Sequence, residues 1–290
     1  MRHHSSSRIG VALALLLAFG GREALADDSV VEINTCGQVL QGGGFLSADL
    51  DCSAETVDAP TVILGNNGTL DLRGFTLTGR SSSGFLATVF CSRHCTILGP
   101  GTIVGSSVSN DLSDDLQNVV GTDNDHLGGS IVNVENATIT GGGVGIYAHQ
   151  VNVDHAVITN NRSVGVWSWR VKIDDSEISG NGLGSFGMAR HGVLSVIKTR
   201  VRNSTITGNA RSGVSGRRLS IIDSTVTDNQ VYSDCTTKVC VDLEAEALRV
   251  PGTTCGTSLD STRPSPSQPG SYVGQPITDS YKTFGVCTDD

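Results

Sequence analysis

The sequence predicts an all-β fold, a parallel β-helix solenoid of about seven coils. Three observations predict it. A five-residue pattern recurs as Ala137-Thr-Ile139-Thr-Gly141, Ala156-Val-Ile158-Thr-Asn160, Ser176-Glu-Ile178-Ser-Gly180, Ser204-Thr-Ile206-Thr-Gly208 and Ser224-Thr-Val226-Thr-Asp228, its central Ile or Val stepping by 19, 20, 28 and 20 residues. Within a copy the apolar residues alternate, as in Val151-Asn152-Val153 and then Ala156 and Ile158, which is the period of a strand. The β-branched Val, Ile and Thr of the pattern suit strands, and Gly, Asn and Asp punctuate them as turns. Stacked coils would lie ~4.8 Å apart, and each would bury its apolar face only against its neighbours.

The elements follow in order. Arg2 and Arg8 precede the apolar run Ile9 to Phe19, and Ala24-Leu25-Ala26 is an A-x-A cleavage site, so residues 1–26 read as a secretory signal. The run is too short for a comfortable membrane span, and an exported chain without a transmembrane anchor, secreted or held at the periplasm or cell surface, is expected. Removing residues 1–26 takes away Arg2, Arg8, Arg22 and Glu23 and moves the formal charge from −9 to −11. That acidity argues against general nucleic-acid binding. Residues 27–60 read as an N-terminal cap, 61–234 as the β-helix with an insertion at 106–130, and 235–290 as a C-terminal cap.

Eight cysteines in an exported chain imply disulfides. Neighbour pairing is expected: Cys36 with Cys52, Cys91 with Cys95, Cys235 with Cys240 and Cys255 with Cys287. These clips fall towards the solenoid ends, whose open edges need capping. A metal reading of Cys91 and Cys95, or of Cys235 and Cys240, is the minor alternative. Asn161, Asn181, Asn209 and Asn229 each follow a pattern copy at the same offset, and a hydrogen-bonded asparagine ladder from coil to coil is expected.

Upstream, Leu70-Asp71-Leu72-Arg73-Gly74-Phe75-Thr76-Leu77 keeps the same internal offsets, as does Thr96-Ile-Leu98-Gly-Pro-Gly101-Thr-Ile103. With these residues the chain resembles the right-handed parallel β-helix proteins of the pectin/pectate-lyase-like superfamily, over roughly residues 36–250. The first segment is similar to the Leu-Asp-Leu-Asn-Gly-His-Thr-Ile element common near their N-terminal ends. The resemblance implies a single-stranded, right-handed parallel β-helix and, more weakly, an activity on polysaccharide. Lyases of these families abstract a proton beside a uronic-acid carboxylate, with Arg or Lys as base and Ca²⁺ neutralising the acid. Val151-Asn152-Val153-Asp154-His155 is similar to their Trp-Ile-Asp-His element, but Asn152 replaces the Trp. Asp154 and His155 read as outward strand and turn residues.

Chemistry is expected where the repeat is broken or decorated. Ser106–Ser130 carries Asp111, Asp114, Asp115, Asp123 and Asp125; Asp123 and Asp125 are candidate Ca²⁺ ligands, and a solvated loop is the alternative. A shorter insertion near Gly182–Arg190 accounts for the 28-residue step. The strands after each turn align as Gly145-Ile-Tyr147-Ala-His149, Gly165-Val-Trp167-Ser-Trp169, Gly192-Val-Leu194-Ser-Val196 and Gly213-Val-Ser215-Gly-Arg217. With Ile146, Val166, Val193 and Val214 inward, Tyr147 would lie over Trp167 and His149 over Trp169 on an outward face. Such aromatics can stack against sugars. Alternatively, the Asp-rich insertion covers them.

Residues 162–218 hold ten cations against Asp174, Asp175 and Glu177, a local basic zone suited to carboxylates or sulfates, or else ordinary surface charge. The candidate substrate-binding residues are Tyr147, His149, Trp167, Trp169, Arg170, Arg190 and Arg217. Arg170, Arg190 and His149 are the candidate catalytic groups. The expected partner is an acidic polysaccharide, bound and cleaved by a lyase, or bound without cleavage by a surface or matrix protein.

Overall fold

The structure is a computed structural model that describes residues 30–80, 87–105, 117–122, 129–184, 190–229, 241–256, 258–260 and 282–285. The described residues form no helix. Their strands fall into one sheet of sixteen and one of nine, paired in parallel except at the C-terminal end, where Lys282–Gly285 runs antiparallel to Ser258–Asp260. Through residues 131–227 the chain alternates between the sheets. Ile131–Glu135, Val144–Asp154, Val164–Asp174, His191–Arg202 and Ser212–Ile222 belong to the larger one, and the five pattern copies supply short strands to the smaller one. Each strand pairs with its counterpart one repeat on, an arrangement compatible with a parallel β-helix.

The pattern works as a strand flanked by two left-handed corners. The residue before each copy has positive φ: Asn136 56°, His155 49°, Asp175 48°, Asn203 47° and Asp223 49°. So does its last residue: Gly141 78°, Asn160 55°, Gly180 63°, Gly208 66° and Asp228 55°. Gly, Asn, Asp and His tolerate this region best, which accounts for the residue types found there. His155 is therefore a corner residue. Between the corners the Ile or Val points in. Ile139 pairs with Ile158, Ile158 with Ile178, Ile178 with Ile206 and Ile206 with Val226, all wholly buried in one interior file. Leu77 and Ile103 continue it upstream. Burying each such side chain stabilises the fold by roughly 1.5–3 kcal/mol.

Two polar ladders close the corners. The Asn161 side-chain amide donates to Asn181 Oδ1 at 3.0 Å, Asn181 to Asn209 Oδ1 at 3.0 Å, and Asn209 to Asn229 Oδ1 at 2.8 Å. The file ends on a buried carboxylate, Asp242, whose Oδ1 accepts from Asn229 Nδ2 at 2.9 Å. Glycine is required beside it. A Cβ on Gly145, Gly165, Gly192 or Gly213 would come within 2.6–2.9 Å of a ladder Nδ2. At the pattern's first position Ser176, Ser204 and Ser224 accept from the backbone N–H one coil earlier at 3.1–3.2 Å, and each hydroxyl donates to the carbonyl two residues before it.

Two disulfides have the expected partners, Cys36–Cys52 and Cys91–Cys95, with Cα atoms 5.9 and 5.8 Å apart. Cys255 is disulfide-bonded too, to a partner outside the described residues. Cys235, Cys240 and Cys287 lie outside them, as do the signal at 1–26 and most of the Asp-rich insertion. That insertion is not all loop: Asn118–Thr122 is a strand pairing with Val89–Cys91 on one side and with Val144–Asp154 on the other. No helix among the described residues is long and apolar enough to cross a membrane.

His191 is buried at the start of its strand beside Arg211; desolvation and that positive charge push its pKa down to about 3. The folded protein therefore holds it neutral across a range in which an unfolded histidine, near 6.5, takes up a proton. Its contribution is intact above pH 6.5 and declines steadily as pH falls towards 3. Urea midpoints of wild type and His191→Gln should converge as pH drops from 7 to 4. Parallel pH profiles would show that His191 does not titrate in this way.

Candidate functional site

The outward side chains of the long strands build the candidate site. Tyr147 pairs in register with Trp167, Trp167 with Leu194, and Leu194 with Ser215, while Ile146, Val166, Val193 and Val214 point in and are wholly buried. Both expected aromatic contacts form. The Tyr147 and Trp167 rings meet edge to face, with centroids 5.5 Å apart and planes at 78°. His149 and Trp169 stack, with centroids 5.7 Å apart and planes at 18°. In each pair the rings cover part of one another, and all four are half-buried. The site is thus two aromatic pairs standing on adjacent rungs rather than a fully open platform. Burial raises the Tyr147 phenol above its ordinary pKa, so its O–H remains a donor well into alkaline solution.

The basic residues divide. Arg170 is exposed, one residue beyond Trp169, and pairs in register with Gln150 and Lys198. Arg190 lies elsewhere, half-buried at the corner before the His191–Arg202 strand, where its carbonyl accepts from Arg211 N at 2.8 Å. It stands four residues before Leu194, about 13 Å along an extended strand. Arg217 is exposed but engaged, with Nε 3.0 Å from Glu246 Oε2. Asp123 and Asp125 lie outside the described residues. Asp154, His155 and Asp175 offer ligand atoms within 4.8 Å of one another, with His155 Nδ1 2.9 Å from Asp154 Oδ1. All three are exposed at a corner, where acidic groups commonly gather without an ion.

One feature of the site escaped the sequence reading. Ser168 pairs with Ser195 and Arg170 with Lys198, so Val196 and Ile197 together oppose Trp169. This is a β-bulge, and it leaves Val196 41% exposed beside the tryptophan. Its signal was present. From Gly145, Gly165 and Gly213 to the next pattern Ile or Val is 13 residues, but from Gly192 to Ile206 it is 14. The 28-residue step therefore divides between the corner insertion and one residue inside the strand.

No family model, no curated protein and no solved structure matches this chain.

Proposed function

We propose that this is an exported right-handed parallel β-helix of the pectin/pectate-lyase-like superfamily, about seven coils capped by disulfide-clipped ends. We propose further that it holds an acidic polysaccharide against the face of Tyr147, Trp167, Trp169 and Arg170. One observation carries the reading: two aromatic pairs stand on adjacent rungs with an exposed guanidinium one residue from Trp169. Aromatic rings take the C–H faces of sugars, and a planar guanidinium takes carboxylates in a fork.

Binding without cleavage is favoured over lyase action by the setting of Arg170. An exposed guanidinium with no acidic partner among the described residues suits the planar fork that holds a carboxylate. Incubation with uronic-acid polymers and Ca²⁺ is expected to give retention without ultraviolet-absorbing unsaturated ends. Appearance of such ends would restore the lyase, with His149 the first candidate for its proton transfer. Trp167→Ala and Trp169→Ala should each weaken glycan retention about tenfold, or about 1.4 kcal/mol, with the thermal midpoint little changed. Unaltered retention in both variants would make the aromatic pairs merely structural.

A further inference from the structure

Beyond the aromatic pairs the same sheet face carries a lattice of positive charge, most of it without an ion-pair partner among the described residues. Lys198, Arg200 and Arg202 occupy successive outward positions of one strand, with Thr199 and Val201 buried between them. Arg170 lies directly opposite Lys198 and Lys172 directly opposite Arg200, while Arg202 at the edge of the grid lies opposite Asp174. Arg218 on the next coil precedes Leu219, the register partner of Thr199, and Arg249 pairs with Ser220 one coil further. Rungs repeat at ~4.8 Å and alternate residues along a strand at ~6.6 Å, so the cations form a rigid grid.

The ion pairing is selective. Arg73 pairs with Asp71, Arg80 with Glu55, Lys172 with Asp174 and Arg217 with Glu246. Arg170, Lys198, Arg200, Arg202, Arg218 and Arg249 have no ion-pair partner among the described residues. Like charges directly opposite across a sheet are destabilising. Asp174 already answers Lys172, but stability alone would also replace one member of Arg170/Lys198 by an acid, and this chain has acids in excess, with 29 against 20 cations. An external anion relieves the repulsion that the fold leaves in place.

We propose that this grid takes a densely charged polyanion, a polymer with a carboxylate or sulfate on nearly every residue, laid along the stacking direction so that successive charges meet successive rungs. The proposal rests on the glycan reading above and narrows it to heavily charged polymers. It also keeps Arg170 and replaces Arg190 and Arg217 by Lys198 and Arg200 as anion contacts.

The test compares full-length protein on polygalacturonate, its methyl-esterified form and a sulfated glucan, each across a salt series, with phosphatidylglycerol vesicles as a further arm. Affinity should rise with charge density and fall linearly in log–log form with salt, as counterion release requires. The triple variant Arg170→Gln/Lys198→Gln/Arg200→Gln should bind the charged polymers about thirtyfold more weakly at low salt. Arg217→Gln, already engaged by Glu246, should change affinity less than about threefold. All four positions are at the surface, and matched thermal midpoints would exclude misfolding. Equal affinity for esterified and de-esterified polymer would overturn the proposal while leaving glycan binding intact. Binding to no polymer would overturn the glycan reading itself. An Arg217→Gln loss equal to that of the triple variant, or binding to vesicles alone, would overturn the grid as a polysaccharide site.

Discussion

Replacing Asn181 with alanine should lower the free energy of unfolding by about 3–5 kcal/mol, read as a fall in the urea midpoint. The side chain makes five hydrogen bonds. Its Nδ2 donates to Ile158 O at 3.0 Å, Ser179 O at 3.1 Å and Asn209 Oδ1 at 3.0 Å. Its Oδ1 accepts from Asn161 N at 3.1 Å and Asn161 Nδ2 at 3.0 Å. Alanine leaves those groups buried without that partner, and each orphaned group costs about 1–3 kcal/mol. Asn152→Ala is the matched control. That residue is half-buried on the outward face, where water replaces its bond to Asn133 Oδ1, and it should lose less than about 1 kcal/mol. If the two variants lose the same amount, the ladder contributes no more than any surface amide.

Ile158→Ala should be about as damaging, near 3–4 kcal/mol. Ile158 is fully buried in the interior file, between Ile139 and Ile178 on neighbouring rungs. The parallel ladders above and below fix the backbone on both sides, so the cavity has little room to collapse. Val157→Ala, one residue away and facing outward, should cost under about 1 kcal/mol. The double variant Ile158→Ala/Ile178→Ala should depart from the sum of the single effects, since adjacent side chains share one cavity. Similar losses at 157 and 158, or strict additivity at 158 and 178, would contradict a single continuous core file.

The repeating part of the fold was legible because every coil obeys the same constraint. The interior Ile or Val, the positive-φ corners and the asparagine file all recur at a fixed offset, so each copy supports the others. Where that redundancy ends, the sequence was less informative. Asn118–Thr122 is a strand inside a segment whose aspartates dominate its composition, and Val119 and Val120 are too short a run to declare a strand by periodicity. Asp242 ends the ladder at the register position that Gly213 holds on the previous coil, and nothing in Val241-Asp242-Leu243 marks that carboxylate as buried. The aromatic contacts followed from strand alternation alone, because alternation fixes which residues meet across neighbouring strands. Alternation does not fix ring orientation, which decides how much aromatic surface is left for a sugar. Nor does it reveal which arginines are neutralised, since Glu246 reaches Arg217 from 29 positions away in the chain.

The asparagine file also has a sense. At each link the amide N–H of one coil is directed at the oxygen of the next coil towards the C-terminus, from Asn161 through Asn229. The bond dipoles therefore add along the stack of strands as they do along an α-helix, with the positive pole facing the C-terminal end of the file. Asp242 sits at that pole, and it brings a negative charge together with an oxygen that needs no onward acceptor. Electrostatics thus gives an otherwise repetitive stack a beginning and an end: the same carboxylate at the opposite terminus would face the negative pole.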